Sequence, residues 1–210
     1  GFVLKPILAI SLFSVGMKTK FVVAGAANMS FCSVDADKKA YELGQEMIKQ
    51  GGIVITGATT GVPYYAAKGA KEAGGISIGI SPAASYAAHV KTYRLPVDQF
   101  DFIIYTGFDY SGRNLILTKS ADAIVVGCGG FGTLNEFTIA LEDQKPIGVF
   151  SGTGGVSDEI ARLLEDIKDP HHHDAGRIIF GDDPKKIVSE LIRLIDYDRK
   201  NVIVETPIGE

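Results

Sequence analysis

Arg113 and Glu136 are the two side chains of this sequence whose types and surroundings point most directly to chemistry. Arg113 lies in the run SGRN at residues 111–114, and Glu136 ends the glycine-rich run GCGGFGTLNE at residues 127–136. A guanidinium is a forked, permanently charged donor that suits a phosphate or a carboxylate. A carboxylate can stabilise a developing positive charge or deprotonate water. The pair therefore predicts a site for an anionic small molecule.

The glycine-rich run lies where a strand is predicted to turn into a helix. Residues 123–126 are apolar and β-branched, which is typical of a buried strand, and residues 133–143 continue in a helical pattern. Glycines leave the backbone N–H groups of such a turn unhindered, and the helix dipole places positive charge there. This arrangement favours a phosphate.

Strand-like and helix-like segments alternate from Lys20 to about Tyr197. The predicted strands are residues 21–24, 53–56, 76–80, 101–105, 123–127, 146–150 and 178–180. This alternation predicts a single doubly wound, mainly parallel α/β sheet of Rossmann-like type with helices on both faces. We assign residues 17–197 to this domain, residues 1–16 to an N-terminal extension of cloned or natural origin, and residues 198–210 to a C-terminal tail.

In a sheet of this type, ligands bind beyond the carboxyl ends of the strands. Four loops rich in small residues are predicted to lie there, at residues 25–28, 57–61, 107–113 and 127–133. A single glycine is explained by a tight turn or by close packing. Four such loops at one edge instead predict a shared ligand site.

Residues 127–132 also satisfy the GxGxxG spacing of dinucleotide-binding sites. Such a site needs an acidic residue at the end of the following strand, about 20 residues further on, to hold the ribose. The sequence has Phe150-Ser151-Gly152 there, so NAD is disfavoured. A Walker A loop is excluded because no glycine-rich turn of the sequence leads into Gly-Lys-Ser or Gly-Lys-Thr.

Structural explanations compete with the chemical ones. The run Thr133-Leu134-Asn135-Glu136 fits a capping box, in which Thr133 caps the helix and Glu136 reaches back to it. An arginine at the start of a helix is usually a solvated surface residue, but Arg113 is predicted to lie at the ligand edge, where an anion or a carboxylate explains it better. For Glu136, the local pattern leaves the capping box and the chemical role open.

The two cysteines, Cys32 and Cys128, form no CxxC pair, and the sequence predicts no disulfide framework. Cys128 has no histidine near it in the sequence, so we expect a packing residue rather than a nucleophile. A reducing cytoplasm fits this cysteine content. The three consecutive histidines at residues 171–173 are typical of a polar loop, since no second cluster supplies metal ligands at a recognised spacing. We expect no metal and no resident cofactor.

Composition restricts the class of partner. The 210 residues suffice for one well-cored domain, and 46% hydrophobic with 22% charged residues is an ordinary globular balance. A formal net charge of −4 provides no basic field, which disfavours binding to extended nucleic acid. The apolar residues 1–16 are too short to span a membrane. The expected partner is a nucleotide or a phosphorylated cofactor.

The sequence resembles the LONELY GUY phosphoribohydrolases, a group often mislabelled lysine decarboxylases, whose signature is PGGxGTxxE. The resemblance is carried by GRN at residues 112–114, SADA at residues 120–123 and GGFGTLNE at residues 129–136. It extends, in order of elements, from Phe21 to about Phe150. It implies hydrolysis of the N-glycosidic bond of nucleoside 5′-monophosphates to free base and ribose 5-phosphate. It also implies a homodimer or higher homo-oligomer.

The resemblance assigns roles to individual residues. Arg113 and Glu136 would form the catalytic pair, with Glu136 stabilising an oxocarbenium-like ribose. The residues implied to hold the phosphate and nucleotide are Gly25, Gly57, Thr59, Thr60, Gly61, Gly129, Gly130, Gly132 and Thr133.

Two positions depart from the hydrolase pattern. Cys128 stands in place of the proline of PGG, and Asn114 stands in place of the lysine that usually follows the arginine. With these two residues, the sequence resembles a sister branch of the family. That branch includes a molybdenum-cofactor carrier and can hold a ligand without cleaving it. The resemblance thus leaves two functions open: a nucleotide phosphoribohydrolase, and a non-catalytic carrier of a nucleotide or of the molybdenum cofactor.

Overall fold

The computed structural model describes residues 17–167 and 175–201. Residues 1–16 of the N-terminal extension, the histidines at residues 171–173 and the last nine residues of the tail lie outside this part of the chain. None of the described helices is long and apolar enough to cross a membrane.

Within the described residues, seven strands form one parallel sheet. The strands are β1 (Lys20–Ala24), β2 (Ile53–Thr56), β3 (Ser77–Ser81), β4 (Phe102–Tyr105), β5 (Ala123–Val126), β6 (Ile147–Phe150) and β7 (Ile178–Gly181). They are ordered β4-β3-β2-β1-β5-β6-β7, and all neighbouring pairs are parallel. The direction in which the strands are added therefore reverses between β1 and β5.

Six α-helices cover the two faces of the sheet in the described part of the chain. They are α1 (Ala36–Lys49), α2 (Val62–Glu72), α3 (Asp109–Lys119), α4 (Phe131–Glu142), α5 (Val156–Asp166) and α6 (Pro184–Asn201). Helices α1, α2 and α6 pack into one hydrophobic core, and helices α3, α4 and α5 pack into the other. The predicted doubly wound, Rossmann-like α/β fold is confirmed.

Strand β1 shows why the sequence folds in this way. Phe21 and Val23 point into one core, whereas Val22 and Ala24 point into the other, and all four are at most 1% exposed. A strand that is buried on both faces must be apolar at every position. The continuous run FVVA therefore identifies a central parallel strand.

Candidate ligand-binding site

A cavity of about 310 Å³ opens at the carboxyl ends of the strands, beside the loops that follow β1 and β5. Doubly wound sheets bind ligands at this point, because the two loops diverge where the strand order reverses. Seven of the predicted site residues line the cavity: Gly25, Thr59, Arg113, Gly130, Gly132, Thr133 and Glu136. The structure thus brings all four predicted loops to one site.

Two of the remaining predicted residues, Gly57 and Gly129, make room for side chains of the site. A Cβ at Gly57 would overlap the guanidinium of Arg113, and a Cβ at Gly129 would overlap the side chain of Thr133. Neither glycine lines the cavity itself. The absence of a side chain at these positions allows Arg113 and Thr133 to take their places.

The last two predicted residues, Thr60 and Gly61, tie the loop after β2 to the loop after β1. Thr60 Oγ1 donates a hydrogen bond to the carbonyl of Ala27 at 3.1 Å. Gly61 has φ of 71°, and a Cβ there would overlap the carbonyl oxygen of Ala26. Ala26 and Ala27 line the cavity, so these contacts shape its wall without supplying lining groups.

The glycine-rich turn leaves the N-terminus of α4 free to meet a ligand. The helix begins at Phe131, Gly130 is its N-cap, and no side chain caps it. A Cβ at Gly130 or at Gly132 would meet no heavy atom within 4 Å, so both glycines face open space. Uncapped first-turn N–H groups beside a cavity are suited to a phosphate.

The capping-box interpretation of Thr133 and Glu136 is therefore excluded. Because the helix begins two residues earlier than Thr133, Thr133 lies inside the first turn and Glu136 lies beyond it. Both side chains are buried and line the cavity instead of closing on each other. The structural explanation for Glu136 is thereby removed.

Arg113 is buried, with 4% of its surface exposed, which excludes the alternative of a solvated surface arginine. Its Nη1 donates to the carbonyl of Ile80 at 3.2 Å, while its Nε has no partner among the described residues. Its guanidinium carbon lies 5.7 Å from the centre of the Tyr110 ring. Burial lowers the pKa of Arg113, and the charge of Glu136 opposes that shift. A buried guanidinium with unused donors at a cavity wall is suited to an anion.

Glu136 is also buried, with 6% of its surface exposed. Burial raises the pKa of its carboxyl from 4.5 to about 7, although the positive charge of Arg113 pulls it downward. Asn114 contacts the same carboxylate. With its amide nitrogen turned to the carboxylate, Asn114 donates to Glu136 Oε1 at 3.2 Å and to the carbonyl of Tyr110 at 3.0 Å. The carboxyl can therefore exchange a proton near neutral pH.

Two lining residues were not singled out by sequence reasoning. Phe31 lies outside all four predicted loops, and Tyr110 lies inside one but carried no predicted role. Phe31 is 52% exposed and Tyr110 is 47% exposed, so each ring borders both the cavity and solvent. An exposed aromatic residue beside a glycine-rich loop is the signal that could have identified them.

The prediction for the cysteines needs correction. Cys32 and Cys128 form a disulfide, with 5.7 Å between their Cα atoms. They are 96 residues apart in the sequence, but one follows β1 and the other follows β5, which are neighbouring strands. Sequence spacing does not reveal a pairing that depends on strand order. No group of His, Cys, Asp and Glu suited to a metal ion occurs among the described residues.

A model of the SLOG cluster4 family matches residues 18–188. The chain belongs to this family. It is 30% identical to an uncharacterised protein of Archaeoglobus fulgidus over 128 residues, which is 61% of this chain and 79% of the relative.

Solved structures agree with membership of the SLOG cluster4 family. The molybdenum cofactor carrier protein of Chlamydomonas reinhardtii is 28% identical, with a TM-score of 0.69 over 86% of this chain and 99% of that one. The molybdenum cofactor binding protein of Rippkaea orientalis is also 28% identical, with a TM-score of 0.65 over 87% of this chain and 98% of that one. The resemblance to the sister branch is thereby confirmed.

Proposed function

We propose that the cavity binds a phosphorylated small molecule, with the phosphate on the turn at residues 129–133. The observation that carries the proposal is the state of Arg113, which is buried at a cavity wall with its Nε unpaired among the described residues. A buried guanidinium with an unsatisfied N–H donor is costly, so a ligand that pairs with this group gains affinity. The uncapped N-terminus of α4 provides the second anion-binding element.

The molybdenum cofactor, a phosphorylated pterin, is the first candidate for this ligand, held intact as cargo. The proposal is supported by the similarity to two proteins that carry or bind this cofactor, across 98–99% of their lengths. A cavity of about 310 Å³ is within the range of small-molecule sites. Phe31 and Tyr110 offer aromatic surfaces for a flat ring. In this function the chain breaks no bond of the ligand.

Cleavage of nucleoside 5′-monophosphates is the second candidate, and Glu136 favours it. A general base is most effective when its pKa lies near the working pH, and burial raises the pKa of Glu136 to about 7. In this function the turn at residues 129–133 anchors the phosphate. Glu136 takes a proton from the attacking water and stabilises the oxocarbenium-like ribose, while Arg113 pairs with the departing base or the ribose oxygens.

The two candidates predict different fates for the ligand. We would mix the full chain with AMP or with purified molybdopterin, measure binding by calorimetry, and measure ribose 5-phosphate release under single-turnover conditions. If the protein is a carrier, molybdopterin is recovered intact with one molecule bound per chain, and Arg113→Ala abolishes its binding. A hydrolase releases free base from AMP, and Glu136→Gln slows that release roughly a hundredfold or more.

Glu165→Gln, an exposed change on α5, is the matched control. Binding of neither compound would contradict the proposal.

We also propose that the protein assembles as a homo-oligomer. Strand β4 is at one edge of the sheet, and its Phe102 and Ile104 are 51% and 46% exposed. Large apolar side chains on an edge strand are a common basis of subunit contacts. Light scattering on the purified chain should give a mass above 22.4 kDa, and Phe102→Lys should lower it towards that value.

A further inference from the structure

Cys32 and Cys128 are the two cysteines of the sequence, and their disulfide joins two loops of the ligand site. Cys32 lies between β1 and α1, and Cys128 lies between β5 and α4. The bond therefore spans the point at which the strand order reverses, beside the cavity.

Both cysteines adjoin residues that line the cavity. Phe31 directly precedes Cys32, and Gly130 follows Cys128 by two positions. The carbonyl of Cys128 also accepts a hydrogen bond of 2.7 Å from the backbone N–H of Ala26, another lining residue. A change in the spacing of the two sulfur atoms is therefore transmitted to two walls of the site.

A third segment supports these loops independently of the disulfide. Gly154 forms an antiparallel bridge with Cys32, and Gly155 forms a parallel bridge with Gly129. The N–H of Val156 donates to the carbonyl of Gly129 at 2.8 Å. Because these backbone contacts do not depend on the sulfur atoms, we expect the reduced chain to keep its fold.

The two loops differ in how freely they can respond when the bond is broken. Two sulfur atoms that are no longer bonded must separate by roughly 1.5 Å to reach van der Waals contact. Cys128 is 0% exposed and belongs to a packed core, whereas Cys32 is partly buried at its edge. We therefore expect the displacement to fall on the side chain of Cys32 and on the neighbouring ring of Phe31.

We propose that Cys32 and Cys128 form a reversible thiol–disulfide site that sets the affinity of the cavity for its phosphorylated ligand. The proposal rests on the function proposed above. The disulfide form holds Phe31 at the cavity, and the dithiol form releases it and binds the ligand more weakly.

Reduction proceeds through the more accessible sulfur atom. A thiolate of a dithiol reductant attacks Cys32 Sγ, the bond between the two cysteines breaks, and Cys128 leaves as a thiolate that takes up a proton. The second thiolate of the reductant then attacks the mixed disulfide and releases Cys32, which is protonated in turn. Two electrons and two protons pass from the reductant to the cysteine pair. Oxidised glutathione reverses the exchange and leaves as two molecules of glutathione.

The test compares the full chain after treatment with oxidised glutathione and after treatment with dithiothreitol. Alkylation followed by mass spectrometry counts free thiols, calorimetry measures the affinity for AMP, and hydrogen exchange reports on residues 26–33 and 128–133. We expect no free thiols in the oxidised chain and two in the reduced chain. Reduction should weaken AMP binding roughly tenfold and increase exchange in residues 26–33. The double variant Cys32→Ala/Cys128→Ala should bind as the reduced chain does and should not respond to dithiothreitol.

The outcomes separate this proposal from the proposed function. Equal AMP affinity in the two redox states, or two free thiols after oxidation, would overturn redox control. If AMP binds in neither state, the same comparison is made with molybdopterin, and equal affinity in the two redox states would again overturn redox control. Binding of neither compound would contradict the proposed function and, with it, control of its affinity. Unchanged hydrogen exchange in residues 26–33 would overturn the redox site whichever compound binds.

Discussion

Gly57 and Arg113 lie so close together that a Cβ at position 57 would overlap the guanidinium. Gly57 follows β2, whereas Arg113 is on α3, which follows β4. The position of the arginine therefore depends on a glycine from a different part of the sheet. Since Arg113 is buried and its Nη1 contacts the carbonyl of Ile80, it has little room to move aside.

Gly57→Ala should weaken ligand binding by displacing Arg113. A hydrogen bond to a charged group contributes about 1.5–3 kcal/mol, so we expect the affinity for AMP to fall by roughly tenfold to a hundredfold. Gly127→Ala is the matched control, because its Cβ would make only ordinary contact, 3.4 Å from Val62. Calorimetry on Gly57→Ala, Arg113→Ala and the double variant decides the cause. If the glycine acts through Arg113, the double variant binds no more weakly than Arg113→Ala, and additive losses would contradict this.

Glu136 should make the stability of the protein depend on pH. Its folded-state pKa of about 7 lies above the ordinary value of 4.5, so the folded chain holds this proton more tightly than the unfolded chain does. The stabilisation is full below pH 4.5, is lost as the pH rises through 7, and amounts to about 3 kcal/mol.

Urea unfolding of the parent and of Glu136→Gln between pH 4 and pH 8 measures this effect. The amide imitates the protonated carboxyl, so the variant should gain stability relative to the parent as the pH rises. The exposed change Glu165→Gln should show no such trend. Parallel stability curves for the parent and Glu136→Gln would mean that the buried carboxyl titrates normally.

The central strands were predictable because a strand that is buried on both faces must consist of apolar residues throughout. The run FVVA of β1 and the run AIVV of β5 are apolar at every position, and each strand is buried throughout. The loops after these strands follow from chain direction alone. The four loops rich in small residues could therefore be assigned to one edge of the sheet from the sequence alone.

The details of the site depend on contacts between distant segments, which sequence spacing does not reveal. Arg113 is buried because Gly57 leaves space for it, and Cys32 reaches Cys128 because β1 and β5 are neighbours. The start of α4 was predicted at the wrong residue for a local reason. Gly130 is the N-cap of α4 and has no side chain, so the capping pattern at Thr133 predicted a helix start that lies too late in the sequence.

A side chain at position 130 should leave the stability of the fold unchanged but should weaken ligand binding. A Cβ there would meet no protein atom within 4 Å, and its φ of −108° is accessible to any residue. Gly130→Ala should therefore melt like the parent while its methyl group obstructs the phosphate. Gly130→Asp should weaken AMP binding further, because the added carboxylate repels the phosphate.

Phe131→Ala is the matched control for these variants, since Phe131 is adjacent, 90% exposed and not part of the cavity lining. Calorimetry with AMP and thermal melting should be run on all three variants. Parent-like affinity in Gly130→Asp would rule out the phosphate position proposed here.

Asn114 should control the protonation of Glu136. With its amide nitrogen turned to the carboxylate, Asn114 donates to Glu136 Oε1 at 3.2 Å, and its side chain is buried with 4% exposure. Asn114→Asp places a second carboxylate against the first, and two like charges at this distance cannot both ionise easily. We expect the carboxyl pair to titrate with an upper apparent pKa at least about one unit above that of Glu136 in the parent. Asn114→Leu removes the N–H donor and should shift the pKa of Glu136 upward by a smaller amount.

Carboxyl ¹³C NMR titration of the glutamate measures these shifts, with Asn201→Asp at the exposed end of α6 as the control. A titration of Glu136 unchanged in both Asn114 variants would show that the amide does not act on the carboxyl.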